Sequence, residues 1–135
     1  MCGIVGFVNL KRDISEYRNV LNNMNKTLTN RGPDEEGYYI SKHVMLGHKR
    51  LIVIDPEEGK QPRVERYQDE TYIIVYNGQI YNIKELKEIL LENGFEFEGH
   101  SNTEVLLKSY IHWGKDVVKY LNGIFAFAIW NNSHP

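Results

Sequence analysis

Apolar residues recur along the chain at the two periods typical of regular secondary structure. Residues 2–9 (CGIVGFVN) form an apolar run that predicts a strand at the N-terminus. Between 14 and 28 the spacing changes to three and four, which predicts an amphipathic helix with Asp13 as its N-cap. The apolar positions of this helix are Ile14, Tyr17, Leu21, Met24 and Leu28. Three further strand-like runs follow at 38–41, 44–54 and 71–77.

Two capping patterns predict helices in the second half of the chain. Asn82 with Glu85 resembles a capping box, and Gly94 is placed to end the helix that it opens. Ser101 with Glu104 repeats the pattern in the stretch SNTE. The predicted helices span residues 82–91, 101–113 and, as a shorter segment, 115–122.

The final apolar run, IFAFAIW at 124–130, alternates small and large side chains. Ala126 and Ala128 are the small members, and this alternation predicts a tightly packed inner strand. Together with the earlier runs, it gives several mostly antiparallel strands and three or four helices. Because the helices are grouped between runs of strands, we predict an α+β fold in which helix layers pack on sheets.

The composition restricts the classes of protein to which the chain can belong. Its 135 residues suit one domain with a modest core. A net charge of −2 gives no sign of a nucleic-acid or membrane surface, and the run at 124–130 is far too short to span a bilayer. A single cysteine excludes an internal disulfide and fits a reducing compartment, so we expect a cytoplasmic protein.

That single cysteine, Cys2, directly follows the initiator methionine. Aminopeptidases remove Met1 when the second residue is small, which would leave Cys2 with a free α-amine of pKa near ~7.7–8. A neutral amine on the same residue can take the thiol proton and later return it to a leaving group. Cys2 is therefore a candidate N-terminal nucleophile that carries its own base.

Two other interpretations of Cys2 remain open. The residue could begin a buried strand as a small apolar side chain, or it could pair with a histidine in a conventional dyad. The spacing favours none of the five candidates, His43, His48, His100, His112 and His134. These histidines also lack metal-ligand spacing with Cys2 or with one another, so we expect no metal site.

Six motifs occur in order along nearly the whole chain, from residue 2 to residue 130. They are MCGIVGF, RGPDEEG, GHKRLIVID, YNGQIYN, SNTEVLL and NGIFAFAIW. In this combination the chain resembles the N-terminal glutaminase domain of asparagine synthetases, which belongs to the class II (N-terminal-nucleophile) glutamine amidotransferases. The resemblance implies an αββα sandwich of mostly antiparallel sheets, incomplete in this chain, with residues 1–135 forming a partial type-2 amidotransferase domain.

The resemblance also implies roles for individual residues. Cys2 corresponds to the nucleophile that attacks the side-chain amide of glutamine. Asn77 and Gly78 match an oxyanion hole made of a side-chain amide and a backbone N–H, and the loss of one such donor costs roughly 3–4 kcal/mol. Arg50 matches the residue that binds the α-carboxylate of glutamine, to which a guanidinium is well suited. The other substrate-binding positions implied are Leu51, Val53, Gln79 and Asn102.

Two segments of the implied site carry further expectations. The loop at 30–36 would close over the substrate because Gly32 and Pro33 give a hinge-capable turn, although Asp34 could equally stabilise the turn itself. The family usually has Asp at the position of Asn102, where a carboxylate receives the α-ammonium of glutamine. Because Asn carries no charge, we predict weaker binding of glutamine.

Asparagine synthetases also carry a second, ATP-using domain, whose Ser-Gly-Gly phosphate-binding loop does not occur in this sequence. We therefore expect no cofactor in this domain, with ATP and Mg²⁺ confined to the synthetase domain. The expected partners are L-glutamine and a synthetase domain or subunit that receives ammonia, with no nucleic acid and no membrane; exposed sheet edges would favour a homo-oligomer. The alternative is an inert fragment, or a glutamine-binding or regulatory module of the same fold.

Overall fold

The structure, a computed structural model, describes residues 2–52 and 60–133. Within these ranges the chain forms six strands, three α-helices and two short 3₁₀ segments. The strands are β1 (Gly3–Val8), β2 (Glu35–Ile40), β3 (Val44–Arg50), β4 (Arg63–Tyr67), β5 (Glu70–Ile80) and β6 (Gly123–Asn131). The helices are α1 (Arg18–Lys26), α2 (Ile83–Glu92) and α3 (Asn102–Trp113). The 3₁₀ segments are Ser15–Tyr17 and Gly114–Lys119.

The strands form two three-stranded sheets in which all neighbours are antiparallel. Sheet A has the order β1-β3-β2 and sheet B the order β4-β5-β6. Because side chains alternate along a strand, every second residue faces the opposite sheet. The apolar residues buried between the sheets are Val44, Leu46, Ile73 and Val75. The predicted α+β class with antiparallel sheets is confirmed.

Helices cover the outer face of each sheet. Leu21 of α1 and the preceding Ile14 pack against Met45, which points away from sheet B. Residues of α2 and α3, among them Leu86 and Leu106, pack on the outer face of sheet B. The layer order is therefore α1, sheet A, sheet B, then α2 with α3, which is the αββα sandwich implied by the resemblance. In residues 2–52 and 60–133, no helix has the length and apolar character needed to cross a membrane.

The first helix differs from its predicted form. A 3₁₀ turn at Ser15–Tyr17 precedes α1, and Tyr17 lies at the surface rather than on the packed face. Asp13 is not the N-cap of α1; its carboxylate accepts a hydrogen bond from the Ser15 N–H at 2.9 Å. Asp is favourable at this position because it satisfies a backbone donor of the 3₁₀ turn.

The predicted capping box of α2 is wrong, although its end is confirmed. Asn82 occupies the N-cap position without making a side-chain cap bond. Instead, its amide donates to the Tyr120 carbonyl at 2.7 Å and accepts from the Asn122 N–H at 3.0 Å, which ties the start of α2 to the turn before β6. Gly94, with φ +88°, donates to the Leu91 carbonyl and ends the helix in the left-handed conformation that glycine favours.

The prediction of a tightly packed inner strand at 124–130 is wrong. In the described part of the chain, β6 pairs with β5 alone and lies at an edge of sheet B. Ala128 packs between the sheets, whereas Ala126, two residues earlier on the same inward face, is exposed. The small side chain of Ala126 therefore lies at the surface at this end of the sandwich.

Candidate active site

Four candidate site residues lie at the end of the sandwich where Ala126 is exposed. The register pairs Gly3 with Lys49, so Cys2 lies beside Arg50 at the end of sheet A. Cys2 and Arg50 face inward by alternation, like Ile4 and Leu46 in the core between the sheets. On the opposite sheet, Asn77 continues the inward series Ile73 and Val75 and is followed by Gly78. The fold thus brings together Cys2, Arg50, Asn77 and Gly78.

Cys2 is half-buried and is held by backbone groups. Its sulfur accepts a hydrogen bond from the Leu51 N–H at 3.4 Å and its thiol donates to the Leu51 carbonyl at 3.9 Å. The Arg31 guanidinium donates to the Cys2 carbonyl at 3.3 Å. The side chain is therefore oriented without being sealed from solvent, which suits a nucleophile better than a core residue.

Arg50 is almost fully buried, with 5% of its surface exposed. Its Nη1 donates to Glu35 Oε2 at 2.9 Å, and the strand register places these two residues directly opposite each other. A carboxylate thus already binds the guanidinium that is predicted to hold the substrate's α-carboxylate. The sequence analysis did not identify Glu35 as a site residue. An acidic residue at the start of a strand was visible in the sequence, but its pairing with Arg50 depends on the register of β2 with β3.

The loop before β2 is bonded along the end of β3. The Asp34 N–H donates to the Arg50 carbonyl at 3.0 Å, and its carboxylate accepts from the Ile52 N–H at 2.8 Å. Gly32 packs so tightly that a Cβ there would lie 2.3 Å from the Lys49 carbonyl group. The Asp34 carboxylate thus binds the backbone of Ile52, eighteen residues away, rather than that of its own turn. Closure of this loop over a substrate stays a prediction.

In the part of the chain that the structure describes, β5 has no paired strand on one side near Asn77. Pairing with β4 ends at Ile74. The N–H of Tyr81 points toward β6, since it donates to the Asn122 carbonyl, so the alternating backbone groups of Tyr76 and Gly78 point the other way. For Gly78 that direction is the β4 side of the strand, beyond the last β4–β5 pair at Arg63 and Ile74, so its N–H takes no part in the ladder with β6.

Gly78 also needs to be glycine. Its φ of +151° is unfavourable for other residues, and a Cβ would lie 2.4 Å from the Ile124 carbonyl oxygen and 2.6 Å from the Phe125 Cα. Asn77 and Gly78 form no turn, because both residues lie within the ladder formed with β6. The glycine instead permits close approach of two strands.

His48 lies between the sheets with 1% of its surface exposed. Its Nε2 lies 3.2 Å from the Tyr76 carbonyl oxygen, which can only accept, so Nε2 carries the proton. Burial is the main cause that lowers the pKa of His48 to about 4; the hydrogen bond to Tyr76 and the charge of Glu35 act to raise it, and the charge of Arg50 acts to lower it. His48 is thus neutral near pH 7 and engaged with Tyr76, whereas the hydrogen bonds of the Cys2 sulfur run to Leu51, so the geometry does not favour a Cys2–His48 dyad.

The other described histidines have different surroundings. Nδ1 of His43 bonds to the Asn9 carbonyl at 2.9 Å, at the opposite end of sheet A. The ring of His112 packs edge-on against Phe95 in the outer helical layer, and His100 is exposed. His134 and Val53 lie outside the described residues. Within residues 2–52 and 60–133, no three His, Cys, Asp or Glu side chains are grouped to hold a metal ion.

The buried state of His48 predicts a pH-dependent stability. Because its folded pKa of about 4 lies below the ordinary 6.5, the unfolded chain binds the extra proton first. Stability is complete above pH 6.5 and falls as the pH drops toward 4, by about 3 kcal/mol in all. Urea unfolding between pH 7.5 and 5 should show this slope in the wild type and a shallower one in His48→Gln; equal slopes in the two proteins would contradict the assignment.

Asn102 is the first residue of α3, and its side chain is exposed. The preceding Ser101 caps the helix, as predicted, by accepting from the Glu104 N–H at 3.2 Å. Glu104 Oε1 lies 3.7 Å from Nη2 of Arg63, the first residue of β4, so the start of α3 lies toward the same end of sheet B as Asn77. Gln79, also exposed, follows Asn77 on the inward face. The binding roles of Asn102 and Gln79 stay predictions.

The likeness to known proteins agrees with this arrangement. Residues 1–135 match the family described as "Glutamine amidotransferase domain", and the chain belongs to that family. It is 47% identical to asparagine synthetase [glutamine-hydrolyzing] 3 of Bacillus subtilis (strain 168), over 97% of this chain and 21% of that protein. It is 33% identical to asparagine synthetase B [glutamine-hydrolyzing] of Escherichia coli (strain K12), over 98% of this chain and 23% of that protein. The chain thus spans about a fifth of the length of these relatives.

A solved structure shares the fold. Glutamine phosphoribosylpyrophosphate amidotransferase from B. subtilis, complexed with ADP and GMP, superposes with a TM-score of 0.57 and is 29% identical. The match covers 67% of this chain and 21% of that chain. The implied membership in the N-terminal-nucleophile amidotransferases is therefore confirmed at the level of both sequence and fold.

Proposed function

We propose that this domain hydrolyses the side-chain amide of glutamine to glutamate and ammonia, with Cys2 as the nucleophile. The observation that supports the proposal is that the strand register brings Cys2, Asn77 and Gly78 to the same end of the sandwich. A nucleophile with an amide side chain and a backbone N–H nearby is the arrangement that acyl transfer requires. Membership in the amidotransferase family supports the same reaction.

The reaction needs an unblocked Cys2. Once Met1 is removed, the neutral α-amine takes the thiol proton, and the sulfur attacks the amide carbon of glutamine. The oxygen of the resulting tetrahedral intermediate is stabilised by the Asn77 side-chain amide and the Gly78 N–H. The C–N bond then breaks as the amine returns its proton, releasing ammonia and a thioester. Water hydrolyses the thioester through a second tetrahedral intermediate to give glutamate and the free thiol.

Arg50 would bind the α-carboxylate of glutamine. Its planar guanidinium has five N–H donors, a geometry that suits a carboxylate, and Nη1 already donates to Glu35. Asn102 would contact the α-ammonium, and Gln79 together with the backbone at Leu51 and Val53 would complete the pocket. The negative charge of Glu35 would also partly neutralise the positive charge that Arg50 presents to the substrate.

The activity can be tested directly by measuring glutamate release. A chain whose loss of Met1 is verified by intact mass should release glutamate from glutamine. The same chain with its N-terminus acetylated should be inactive, because an amide nitrogen cannot act as the base. Equal rates from both preparations would contradict the α-amine mechanism, and no release from the trimmed chain would favour the inert alternative.

One observation favours a second candidate function, a glutamine-binding module without turnover. Asn102 replaces the usual Asp with a neutral side chain, and Glu35 already binds Arg50. Calorimetric titration with glutamine separates the two functions, since the module would bind glutamine and release no glutamate. An inert fragment would do neither.

Asn102→Asp should lower the half-saturating glutamine concentration by about tenfold. The added carboxylate would make a charge-assisted hydrogen bond with the α-ammonium, which is roughly twice as strong as a neutral one. Asn19→Asp, on the exposed face of α1, is the matched control because it adds the same charge far from the site. If both variants give the wild-type value, Asn102 does not contact the substrate.

The ammonia would be used by an ATP-dependent asparagine synthetase domain or subunit. We expect ATP and Mg²⁺ to bind only there, with no cofactor in residues 1–135 and no nucleic acid or membrane as partner. Cytoplasmic location and a homo-oligomeric assembly belong to the same proposal. Mixing the chain with a synthetase partner, ATP, Mg²⁺ and aspartate should yield asparagine only when glutamine or free ammonia is supplied.

A further inference from the structure

Two side chains form hydrogen bonds with the Tyr76 backbone, on the side of β5 that faces β4 earlier in the strand. Because β4 pairs with β5 only as far as Ile74, the next backbone groups on that side belong to Tyr76. The Tyr76 N–H donates to Gln61 Oε1 at 2.6 Å, and its carbonyl accepts from His48 Nε2 at 3.2 Å. Buried backbone groups need such partners. Within the described residues, Gln61 and His48 therefore supply at Tyr76 the two hydrogen bonds that a paired strand would supply.

His48 provides the link between the two sheets at this point. It belongs to β3 of sheet A, whereas Tyr76 belongs to β5 of sheet B. The His48 carbonyl in turn accepts from Asn25 Nδ2 of α1 at 3.5 Å, which connects three layers of the sandwich. The ring is fully enclosed and is therefore held in one orientation.

The peptide unit that His48 contacts also contains the N–H of Asn77. A peptide unit is planar, so the hydrogen bond to the Tyr76 carbonyl fixes the plane from which the Asn77 side chain and then the Gly78 N–H project. We propose that His48 is a positioning residue for the oxyanion hole and acts on Asn77 and Gly78 through the Tyr76 carbonyl. The proposal rests on the proposed function of Asn77 and Gly78.

This role predicts which kinetic parameter changes. His48→Leu removes the donor, and the Met1-free chain should lose about 10- to 100-fold in kcat, less than the loss of an oxyanion donor itself. KM for glutamine should stay within about twofold, because Arg50 and Asn102 are unaffected. His48→Gln keeps an N–H donor of similar reach and should recover most of kcat.

Leu46→Ala is the matched control. Leu46 faces inward on the same strand and is buried between the same sheets, so its loss destabilises the fold without touching Tyr76. A kcat near the wild-type value in Leu46→Ala, with a reduced kcat in His48→Leu, supports the positioning role. Equal losses in the two variants, or no rescue by His48→Gln, would overturn it.

A second measurement does not require activity. In His48→Gln and His48→Leu, backbone amide exchange at Tyr76 and Asn77 reports whether the peptide unit between these two residues is still held in place. Faster exchange at these residues in His48→Leu only, with Ile73 unchanged, supports the inference, and unchanged exchange overturns it. If the Met1-free wild type releases no glutamate, the proposed hydrolysis fails, while this measurement still decides whether His48 holds the Tyr76–Asn77 unit.

Discussion

Cys2→Ala should lower the rate of glutamate release by at least about 10³-fold, with little change in stability. Removing the nucleophile of a covalent mechanism eliminates the thioester route, and what remains is the smaller acceleration due to binding and the oxyanion hole. Stability should change little because Cys2 is only half-buried and its sulfur makes weak bonds to the Leu51 backbone. Steady-state glutamate release and thermal unfolding of the Met1-free proteins measure the two effects.

Glutamine binding provides the control for this experiment. The residues proposed to bind the substrate, Arg50 and Asn102 among them, remain in Cys2→Ala, so calorimetry should give nearly the wild-type affinity. Retention of the wild-type rate in Cys2→Ala would exclude the nucleophile. A lost rate together with lost binding would instead indicate that the site had collapsed.

Glu104→Ala should destabilise the fold by roughly 3–5 kcal/mol. The Glu104 carboxylate is buried, accepts from the backbone N–H groups of Glu98 and Gly99 at 2.9 and 3.1 Å, and lies 2.7 Å from Lys108 Nζ. Arg63 lies 3.7 Å from the same carboxylate. Its removal leaves Lys108 and two backbone donors without this acceptor inside the protein.

The ionisation of Glu104 predicts the pH at which its contribution is lost. Burial alone would raise the pKa of Glu104, but the hydrogen bonds from Lys108 and the Glu98 N–H, with Arg63 nearby, bring it below the ordinary 4.5. Its stabilisation is therefore complete above pH 4.5 and is lost as the pH falls below that value.

Urea unfolding at pH 7 measures the effect of Glu104→Ala. Glu88→Ala, on the exposed face of α2, is the matched control and should change the free energy of unfolding by no more than about 0.5 kcal/mol. Glu104→Gln keeps one acceptor oxygen and should fall between the two. Identical unfolding midpoints for Glu104→Ala and Glu88→Ala would contradict the buried network.

The sequence was informative where local patterns match tertiary packing. The spacing of Leu21 and Ile14 correctly predicted an amphipathic segment, and Gly94 correctly predicted a helix end. The strand β4 was missed because its charged residues Arg63 and Glu65 are the half-buried ones, while Val64 is exposed. In β4 the charged side chains therefore face the protein and the apolar one faces solvent, the reverse of the usual alternation. The reason is that Arg63 and Glu65 pair with the buried side chains of Glu104 and Lys108 on α3.

The candidate site was accessible from sequence only in part. Cys2, Arg50, Asn77 and Gly78 were identified through six short motifs, and the fold brings them to one end. Two features could not be predicted from the sequence. They are the pairing of Glu35 with Arg50 and the hydrogen bonds from Gln61 and His48 to the Tyr76 backbone. Both depend on where β4 ends and how β2 aligns with β3, and strand register is set by long-range contacts rather than by local sequence.

The exposed Ala126 leaves the surface beside Asn77 without a large side chain. It lies directly opposite Asn77 in the strand register, and side chains of such pairs are only about 5 Å apart at Cβ. A leucine or phenylalanine at 126 would extend toward the carboxamide of Asn77. Under the proposed function, a strand that contributes no reacting group would then limit the bulk of the acyl group that reaches Cys2.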